Sequence, residues 1–396
     1  MLLRAAAVFV VVLILPGCGA EAPADPPGDG GDAVAAADGG PTADGGGIPV
    51  LDAGVVPEYL PGQDVIVSYQ LADLSPTSAG IVAAIVDAGA RVYLIVPDDP
   101  ADAARAQALA TLAEVLGDRM AWVVLVPHQM PGATAEDPTV WARDWAPLSA
   151  VTASGARQLL DFGYAPSRPI DDAVPATLAA QLGLERVAVP LRFEGGNFMG
   201  TEDGRCFTTQ QVLYENDGLT EAQLQATFRD LLGCRTTTIF PTGIDDTHHI
   251  DIWAKLVSKD TVLVNEIRAA TLERVAPDQG LATEVAFVKQ YLDARAADLA
   301  ALGLTVVRLP MPAPFFKYGI TIVPTYSNAL LVNTTAIIPS FQASGFSFMD
   351  EDLYPTYEAD AAAIYRAAGF TPVFVEAGEL AKGHGSIHCA TMQLAL

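Results

Sequence analysis

The C-terminal part of the sequence carries a cysteine in a setting that suits nucleophilic chemistry. Cys389 directly follows His388, and His384 lies five residues upstream among glycine and other small residues. An unperturbed thiol has a pKa of about 8.5, and a nearby imidazolium lowers it, so such a cysteine can form a thiolate. The alternative is a buried, inert thiol beside a last strand, because residues 392–396 are largely apolar. This segment alone leaves both interpretations open.

Two further motifs offer an imidazole and carboxylates. Residues 193–198 read F-E-G-G-N-F and contain Glu194, while residues 246–251 read D-T-H-H-I-D. In a strand, His249 and Asp251 would point to one face, because side chains alternate with a period of two. A solvated strand edge is the alternative. We predict no metal site, because zinc takes three or four ligands and neither H-E-x-x-H nor C-x-x-C occurs.

The segment W-A-R-D-W-A-P at residues 141–147 adds Asp144 to these candidates. Pro138 and Pro147 flank it and disfavour a helix interior, so a surface loop with a salt bridge is the alternative. Taken together, a cysteine, a histidine and several carboxylates fit attack on a guanidinium carbon. That reaction needs counter-charges for the cation, a thiolate, and a proton donor for the departing ammonia.

Short apolar runs alternate with helical patterns and predict an α/β fold. Predicted strands cover residues 65–69, 92–96, 122–126, 159–164, 237–240, 305–309, 329–332 and 373–375. Predicted helices cover residues 79–88, 101–116, 175–182, 221–232, 281–302 and 357–368. Thr220 and Gln223 predict a capping box at the start of the fourth helix, and Gly233 predicts its end. No linker composition follows residue 50, so residues 51–396 are predicted to form a single domain, and no exact internal repeat is evident.

Composition limits the function classes. Apolar residues make up 51% of the chain, which excludes a generally disordered protein. The net charge of −25 at pH 7 argues against nucleic-acid binding and favours a cationic small molecule or peptide. Phosphate-binding glycine loops of the G-x-x-x-x-G-K and G-x-G-x-x-G types do not occur.

The first 50 residues read as a targeting segment and a tether. Arg4 precedes an apolar run at residues 5–15, which is shorter than the ~20 residues that a membrane-spanning helix requires. The following L-P-G-C resembles a bacterial lipobox, which makes residues 1–17 a signal peptide and Cys18 the lipidated residue. An ordinary signal peptide with a chance cysteine is the alternative. Residues 18–50 are rich in Gly, Ala, Asp and Pro and predict a flexible tether. Gly19 after the cysteine favours a lipid anchor in the outer membrane of the bacterial cell envelope.

Four motifs occur in a characteristic order along residues 141–391: W-x-R-D-W-x-P, F-E-G-G-N-F, H-H-I-D-I-W-A-K and G-S-I-H-C-A-T. In these motifs the chain resembles the guanidino-group-modifying deiminases, in particular the bacterial peptidyl-arginine deiminase and agmatine deiminase branch. The likeness extends from about residue 60 onward. It implies the pentein fold, a five-bladed α/β propeller, and no obligatory cofactor. It also implies hydrolytic deimination of peptidyl-arginine to citrulline through a covalent thiouronium intermediate.

The resemblance implies a role for each matching residue. Cys389 matches the nucleophile and His249 the general acid and base. Asp144 and Asp251 match the carboxylates that hold the guanidinium nitrogens. Glu194 matches the carboxylate that orients the histidine.

Three more residues are implied in substrate binding. Asn328 matches a site asparagine of the peptidyl-arginine branch, and Trp141 would stack on the substrate. Arg168 would bind the carboxylate of a C-terminal arginine, although residues 165–169 hold one arginine where the branch can have two. A surface arginine is the alternative for Arg168. His248 stands where agmatine deiminases usually have glycine, so it receives no role.

Other functions remain open on the sequence. The substrate could be agmatine or free arginine, and a Cys-His-Asp peptidase or amidase is a rival enzyme class. A lipoprotein that binds guanidinium ligands without catalysis is the non-enzymatic rival. Cys206 and Cys234 are 28 residues apart and are predicted to form a disulfide in an oxidising compartment, with two free buried thiols as the alternative.

Overall fold

Small sheets, most of them containing a parallel strand pair joined by helices, make up the fold. The structure is a computed structural model that describes residues 53–130, 137–317, 320–342 and 349–396. The strands of this described part, in chain order, are β1 Gly54–Val55, β2 Asp64–Ser68, β3 Val92–Pro97, β4 Val123–His128, β5 Leu148–Val151, β6 Arg157–Gly163, β7 Glu185–Arg192, β8 Met199–Gly200, β9 Arg205–Thr209, β10 Thr236–Phe240, β11 Ala254–Ser258, β12 Thr261–Glu266, β13 Thr305–Pro310, β14 Phe315–Lys317, β15 Ile320–Ile322, β16 Leu330–Val332, β17 Thr335–Ser340, β18 Thr371–Glu376 and β19 Met392–Leu394. Its α-helices are α1 Tyr69–Leu74, α2 Pro76–Asp87, α3 Ala103–Leu116, α4 Ala142–Trp145, α5 Pro169–Asp172, α6 Val174–Leu182, α7 Gln211–Glu215, α8 Glu221–Leu232, α9 Ala269–Val275, α10 Gln279–Ala301, α11 Tyr354–Ala367 and α12 Gly378–Ala381.

The predicted signal peptide at residues 1–17, the tether at residues 18–50 and Cys18 lie outside the described residues. In the part of the chain that is described, no helix is long and apolar enough to cross a bilayer.

One strand pattern recurs in five of the described sheets. A central strand pairs antiparallel with one neighbour and parallel with the other, in the sets β5-β6-β7, β8-β9-β10, β11-β12-β13, β16-β17-β18 and β19-β2-β3. A parallel pair requires a crossover connection, and helices supply it in each of the five sets. The predicted α/β class is therefore confirmed, and none of the described sheets closes into a barrel.

The last strand of the chain joins the first long strand. In the antiparallel pairing of β19 with β2, Met392 lies opposite Ile66. Because Cys389 is three residues before β19, this pairing holds the C-terminal turn against the N-terminal sheet. The residues of β2 and β3 are buried throughout, as expected for central strands covered on both faces.

The predicted helix at residues 221–232 is confirmed as α8. Helix α8 has the predicted bounds, the capping box of Thr220 and Gln223 is present, and Gly233 ends the helix in the left-handed conformation with φ 76°. The sequence reading missed most of the short antiparallel partner strands, such as β5 and β11. These strands have only four and five residues.

The predicted disulfide between Cys206 and Cys234 is confirmed. Cys206 lies in β9, and Cys234 lies between α8 and β10, so the bridge ties the two ends of one crossover. Cys389 is the free cysteine among the described residues.

Candidate active site

Cys389 lies in the turn that precedes β19, and 4% of its surface is exposed. The side-chain amide of Asn328 donates to Cys389 Sγ over 3.2 Å, and Asp251 Oδ2 lies 3.7 Å from the same sulfur. The amide N–H of Cys389 donates to Asn328 Oδ1. Burial and the charges of Asp251 and Asp144 raise the pKa of the Cys389 thiol well above its ordinary value. The structure therefore gives a neutral thiol at the point where the sequence reading expects a nucleophile.

His249 and Asp251 do not lie in a strand, so the argument from strand alternation does not apply to them. His249 precedes a single 3₁₀ turn, Ile250–Ile252, that contains Asp251. The turn is anchored because Asn265 donates to the carbonyl of Ile252 over 2.9 Å.

The loop before His249 is held by Asp245, whose carboxylate accepts from the backbone N–H groups of Thr247 and His248. His248 has φ 57°, a left-handed conformation that favours glycine. This conformation gives a physical reason for the glycine that the resemblance places at this position. His248 Nδ1 is buried and has no hydrogen-bond partner among the described residues.

Asp144, Glu194 and His249 form what we call the acid–base cluster. His249 Nε2 lies 2.8 Å from Glu194 Oε2, and Nδ1 lies 3.8 Å from Asp144 Oδ1. Burial opposes the charged imidazole. The hydrogen bond to Glu194 and the charges of Asp144, Glu194 and Asp251 outweigh it and raise the pKa of His249 to about 10. His249 is therefore protonated at neutral pH and can donate a proton.

Asp144 lies in α4, a single helical turn between the two prolines that were expected to prevent a helix. One turn fits there because it needs no hydrogen bond across either proline. Its position is set by the neighbouring backbone, since the N–H of Arg143 donates to the carbonyl of Cys389 over 3.0 Å. Burial and the charges of Glu194 and Asp251 raise the pKa of Asp144 well above its ordinary value, although His249 and Arg143 oppose this.

Gly196 marks the space that these groups share. A Cβ atom on Gly196 would lie 2.5 Å from His249 Nδ1 and 3.3 Å from both Asp144 Oδ1 and Asp251 Oδ2. Asp144 Oδ1 and Asp251 Oδ1 are buried and have no hydrogen-bond partner among the described residues. Buried acceptors without donors are costly, so this space is built for a ligand that carries N–H groups and positive charge.

The acid–base cluster also has the composition of a metal site. One ligand atom from each of its three residues lies within 4.8 Å of the others. The same three groups suit a guanidinium ion and its proton donor equally well, so the cluster does not require a metal to be explained.

Comparisons with known proteins agree with this geometry. The sequence pattern of the Porphyromonas-type peptidyl-arginine deiminase family matches residues 59–395. The chain belongs to this family. The match makes it an enzyme of the arginine and agmatine deiminase type, which is a hydrolase.

Individual relatives are more distant. A candidate agmatine deiminase of Shewanella frigidimarina is 25% identical over 291 residues, which cover 64% of this chain and 73% of that protein. The agmatine deiminase structure from C. jejuni covers 87% of this chain and 96% of its own, with 20% identity and a TM-score of 0.67. A candidate arginine deiminase from Porphyromonas gingivalis covers 87% and 98%, with 20% identity and a TM-score of 0.66. At such identities the structures support the shared fold alone.

The structure of this deiminase brings together six of the residues predicted for the site. They are Asp144, Glu194, His249, Asp251, Asn328 and Cys389. The ring of Trp141 lies close by, since a Cβ atom on Gly385 would be 2.3 Å from Trp141 Cζ3 and 2.9 Å from Cys389 Cβ. Gly385 thus allows the indole to approach the turn that holds Cys389.

Arg168 is engaged in ion pairs of its own. Its guanidinium lies 2.8 Å from Asp171 and 3.0 Å from Asp137, and 21% of the side chain is exposed. Tyr164 links this region electrostatically to the site, because the charges of Asp144 and Asp171 both contribute to raising its pKa after burial. Arg168 is therefore bound to two carboxylates of the deiminase itself.

Sequence reasoning missed a buried charged network behind Asp251. His388 Nδ1 lies 2.6 Å from Asp251 Oδ2, and His388 Nε2 lies 2.8 Å from Glu58 Oε2. Glu58 also pairs with Arg143 and, over 3.1 Å, with Lys255. His388, Arg143 and Lys255 stand inside the quoted motifs and could have been noticed there. Glu58 precedes the first long strand and carries no motif signal.

Proposed function

We propose that the chain is a peptidyl-arginine deiminase that hydrolyses the guanidinium group of arginine in a peptide to citrulline and ammonia. The observation that carries this proposal is the pair of unpartnered buried oxygens, Asp144 Oδ1 and Asp251 Oδ1, in a site where the other oxygen of Asp251 lies 3.7 Å from Cys389 Sγ. Desolvated carboxylates need a cation, so substrate charge is a strong selector. A peptidase or amidase would not need a second carboxylate at this position.

Substrate binding would itself help to activate the nucleophile. The charges of Asp251 and Asp144 raise the pKa of Cys389, and a guanidinium ion between the two carboxylates offsets both charges. The thiol then loses its proton more readily when substrate is present than when it is absent.

The proposed reaction has two halves. In the first, the Cys389 thiolate forms a C–S bond to the guanidinium carbon, and protonated His249 gives its proton to the departing nitrogen. The C–N bond breaks, ammonia leaves, and a covalent thiouronium intermediate forms. In the second, neutral His249 removes a proton from water while the hydroxyl adds to the carbon. The C–S bond then breaks, which restores the thiolate, and the ureido product leaves. The hydroxyl proton passes to the ammonia released in the first half, and His249 is already protonated again by the proton it took from water.

Agmatine is the second candidate substrate, favoured by the relatives named for agmatine deiminase activity. Product formation should be compared for a peptide ending in arginine, the same peptide amidated, agmatine and arginine. We expect the peptide with the free carboxylate to be preferred. Agmatine as the best substrate would instead make the chain a small-molecule deiminase, and no ureido product from any of the four would leave only guanidinium binding.

Arg168 is the proposed origin of the preference for a free carboxylate. Arg168→Ala should remove it, reducing kcat/KM for the acid peptide by roughly 10- to 100-fold. Agmatine has no carboxylate, so its turnover in the same preparation controls for damage caused by unpairing Asp137 and Asp171. Unchanged discrimination between acid and amide would contradict the role of Arg168.

The remaining proposals concern architecture and location. We propose that the five sheets with a shared strand pattern are the five blades of a pentein propeller, which an experimental structure tests directly. We also propose that the chain is lipid-anchored through Cys18 in the outer membrane. The Cys206–Cys234 disulfide supports an oxidising compartment. Fatty-acid labelling that is unchanged by Cys18→Ser would contradict the anchor.

A further inference from the structure

His388 is held between two carboxylates, although the proposed reaction gives it no part. Its Nδ1 lies 2.6 Å from Asp251 Oδ2, and its Nε2 lies 2.9 Å and 2.8 Å from the two oxygens of Glu58. The ring is 1% exposed. Each of the two ring nitrogens therefore faces a carboxylate of the protein.

Glu58 is the fixed end of this arrangement. Burial opposes its charge, but Arg143, His388 and Lys255 together lower the pKa of Glu58 well below its ordinary value. Arg143 and Lys255 are themselves 1% and 2% exposed. An ionised Glu58 with two further cationic partners provides a stable acceptor for His388 Nε2, which fixes the plane of the ring.

Asp251 is the other end of the arrangement. His388 binds its Oδ2, and Oδ1 has no hydrogen-bond partner among the described residues. Burial would raise the pKa of Asp251, but the hydrogen bond and charge of His388, with His249 and Lys255, bring it below its ordinary value. The state and orientation of this carboxylate therefore depend on His388.

We propose that His388 is a positioning residue that holds Asp251 by its Oδ2 atom and turns the free oxygen toward the cationic end of the substrate, with Glu58 as its anchor. This inference rests on the proposed function, because it assigns Asp251 to guanidinium binding. In this proposal Asp251 contacts the substrate, while His388 and Glu58 set the direction of its carboxylate.

Two variants of His388 distinguish positioning from general structural support. An asparagine side chain places its amide nitrogen near the position of Nδ1 and keeps a donor for Asp251 while losing Glu58. A glutamine side chain reaches the position of Nε2 and keeps a donor for Glu58 while losing Asp251. Both substitutions replace the imidazole with a neutral amide.

The experiment compares kcat and KM of the full chain and of His388→Asn and His388→Gln, with the best guanidino substrate and with melting temperatures alongside. We expect His388→Gln to raise KM by roughly 10- to 100-fold with a smaller change in kcat, because binding of the cation is weakened in ground and transition states alike. His388→Asn should keep KM within about threefold of the unaltered chain, because its donor to Asp251 remains.

Equal KM values in the two variants, or a fall in kcat with KM unchanged, would overturn the role of His388. If His388→Gln does not fold, His388→Asn decides alone, and a tenfold or larger rise in its KM overturns the proposal. Absence of turnover by the unaltered chain is a different outcome, since it refutes the proposed function rather than the role of His388.

Discussion

On both sides of the site negative charge favours a protonated group, and the consequences for the proposed reaction are opposite. In the acid–base cluster, carboxylates surround an imidazole and raise its pKa to about 10, so His249 keeps its proton. In the nucleophile cluster, by which we mean Asp251, Asn328 and Cys389, a carboxylate lies beside a thiol and raises the pKa of Cys389. Negative charge favours the protonated form of both groups, which suits the acid and hinders the nucleophile.

This difference indicates that the substrate must supply a positive charge. A cation between Asp144 and Asp251 offsets the charges that hinder thiol ionisation, whereas Glu194 still holds the proton on His249 over 2.8 Å. The site is therefore arranged so that a guanidinium ion completes it electrostatically. Four variants test the two sides separately.

The largest expected effect is at the nucleophile. Cys389→Ser should lower turnover by roughly 1,000-fold or more, because no other group in the cluster can form the covalent bond. The matched control is Cys206→Ser, which should keep the chemistry and lower the free energy of unfolding by roughly 3 kcal/mol through loss of the disulfide loop. Ureido product assays and thermal melts check both, and substantial product from Cys389→Ser would remove the covalent mechanism.

A smaller but large loss is expected at the first carboxylate. Asp144→Asn keeps the size of the side chain and leaves one edge of the guanidinium without a counter-charge, so kcat/KM should fall by about 100-fold. Asp118→Asn, at an exposed position outside the site, is the matched control and should change little. A loss of only a few-fold would mean that Asp144 serves a local salt bridge.

One substitution in the nucleophile cluster should weaken substrate binding and at the same time make the Cys389 thiol easier to ionise. Asp251→Asn removes the charge 3.7 Å from Cys389 Sγ, so the pKa of the thiol should fall even though substrate binding is lost. Alkylation of Cys389 by iodoacetamide at pH 7, measured by peptide mass, should become about tenfold faster for a shift of one pKa unit. A slower or unchanged alkylation rate would show that Asp251 does not govern the thiol.

The last effect is a shift in pH dependence. Catalysis needs protonated His249, so kcat/KM should fall as the pH rises through the pKa of about 10. Glu194→Gln removes a hydrogen bond and a charge that raise this pKa and leaves burial, which lowers it. The alkaline limb should therefore move toward neutral pH, by at least about one unit. A limb that stays near pH 10 would assign it to another group.

Local sequence patterns were enough for part of the fold. The helix Glu221–Leu232 was predicted with its bounds because a capping box and a terminal glycine act within one turn of the chain. The strand Thr236–Phe240 was found because its apolar run and the following proline are local signals. The argument from strand alternation does not apply to His249 and Asp251, because Asp251 lies in a 3₁₀ turn that His249 precedes.

The sequence by itself predicted which groups the site contains, because Cys389, His249 and Asp144 each stand in a motif whose residue types match one reaction. The tertiary structure alone decided their states. Glu58 meets His388 across 330 positions of the chain, a contact that no local pattern encodes. The strand pattern common to five sheets is likewise invisible as a sequence repeat, because a fold of this kind constrains burial and connection length and leaves residue identity free.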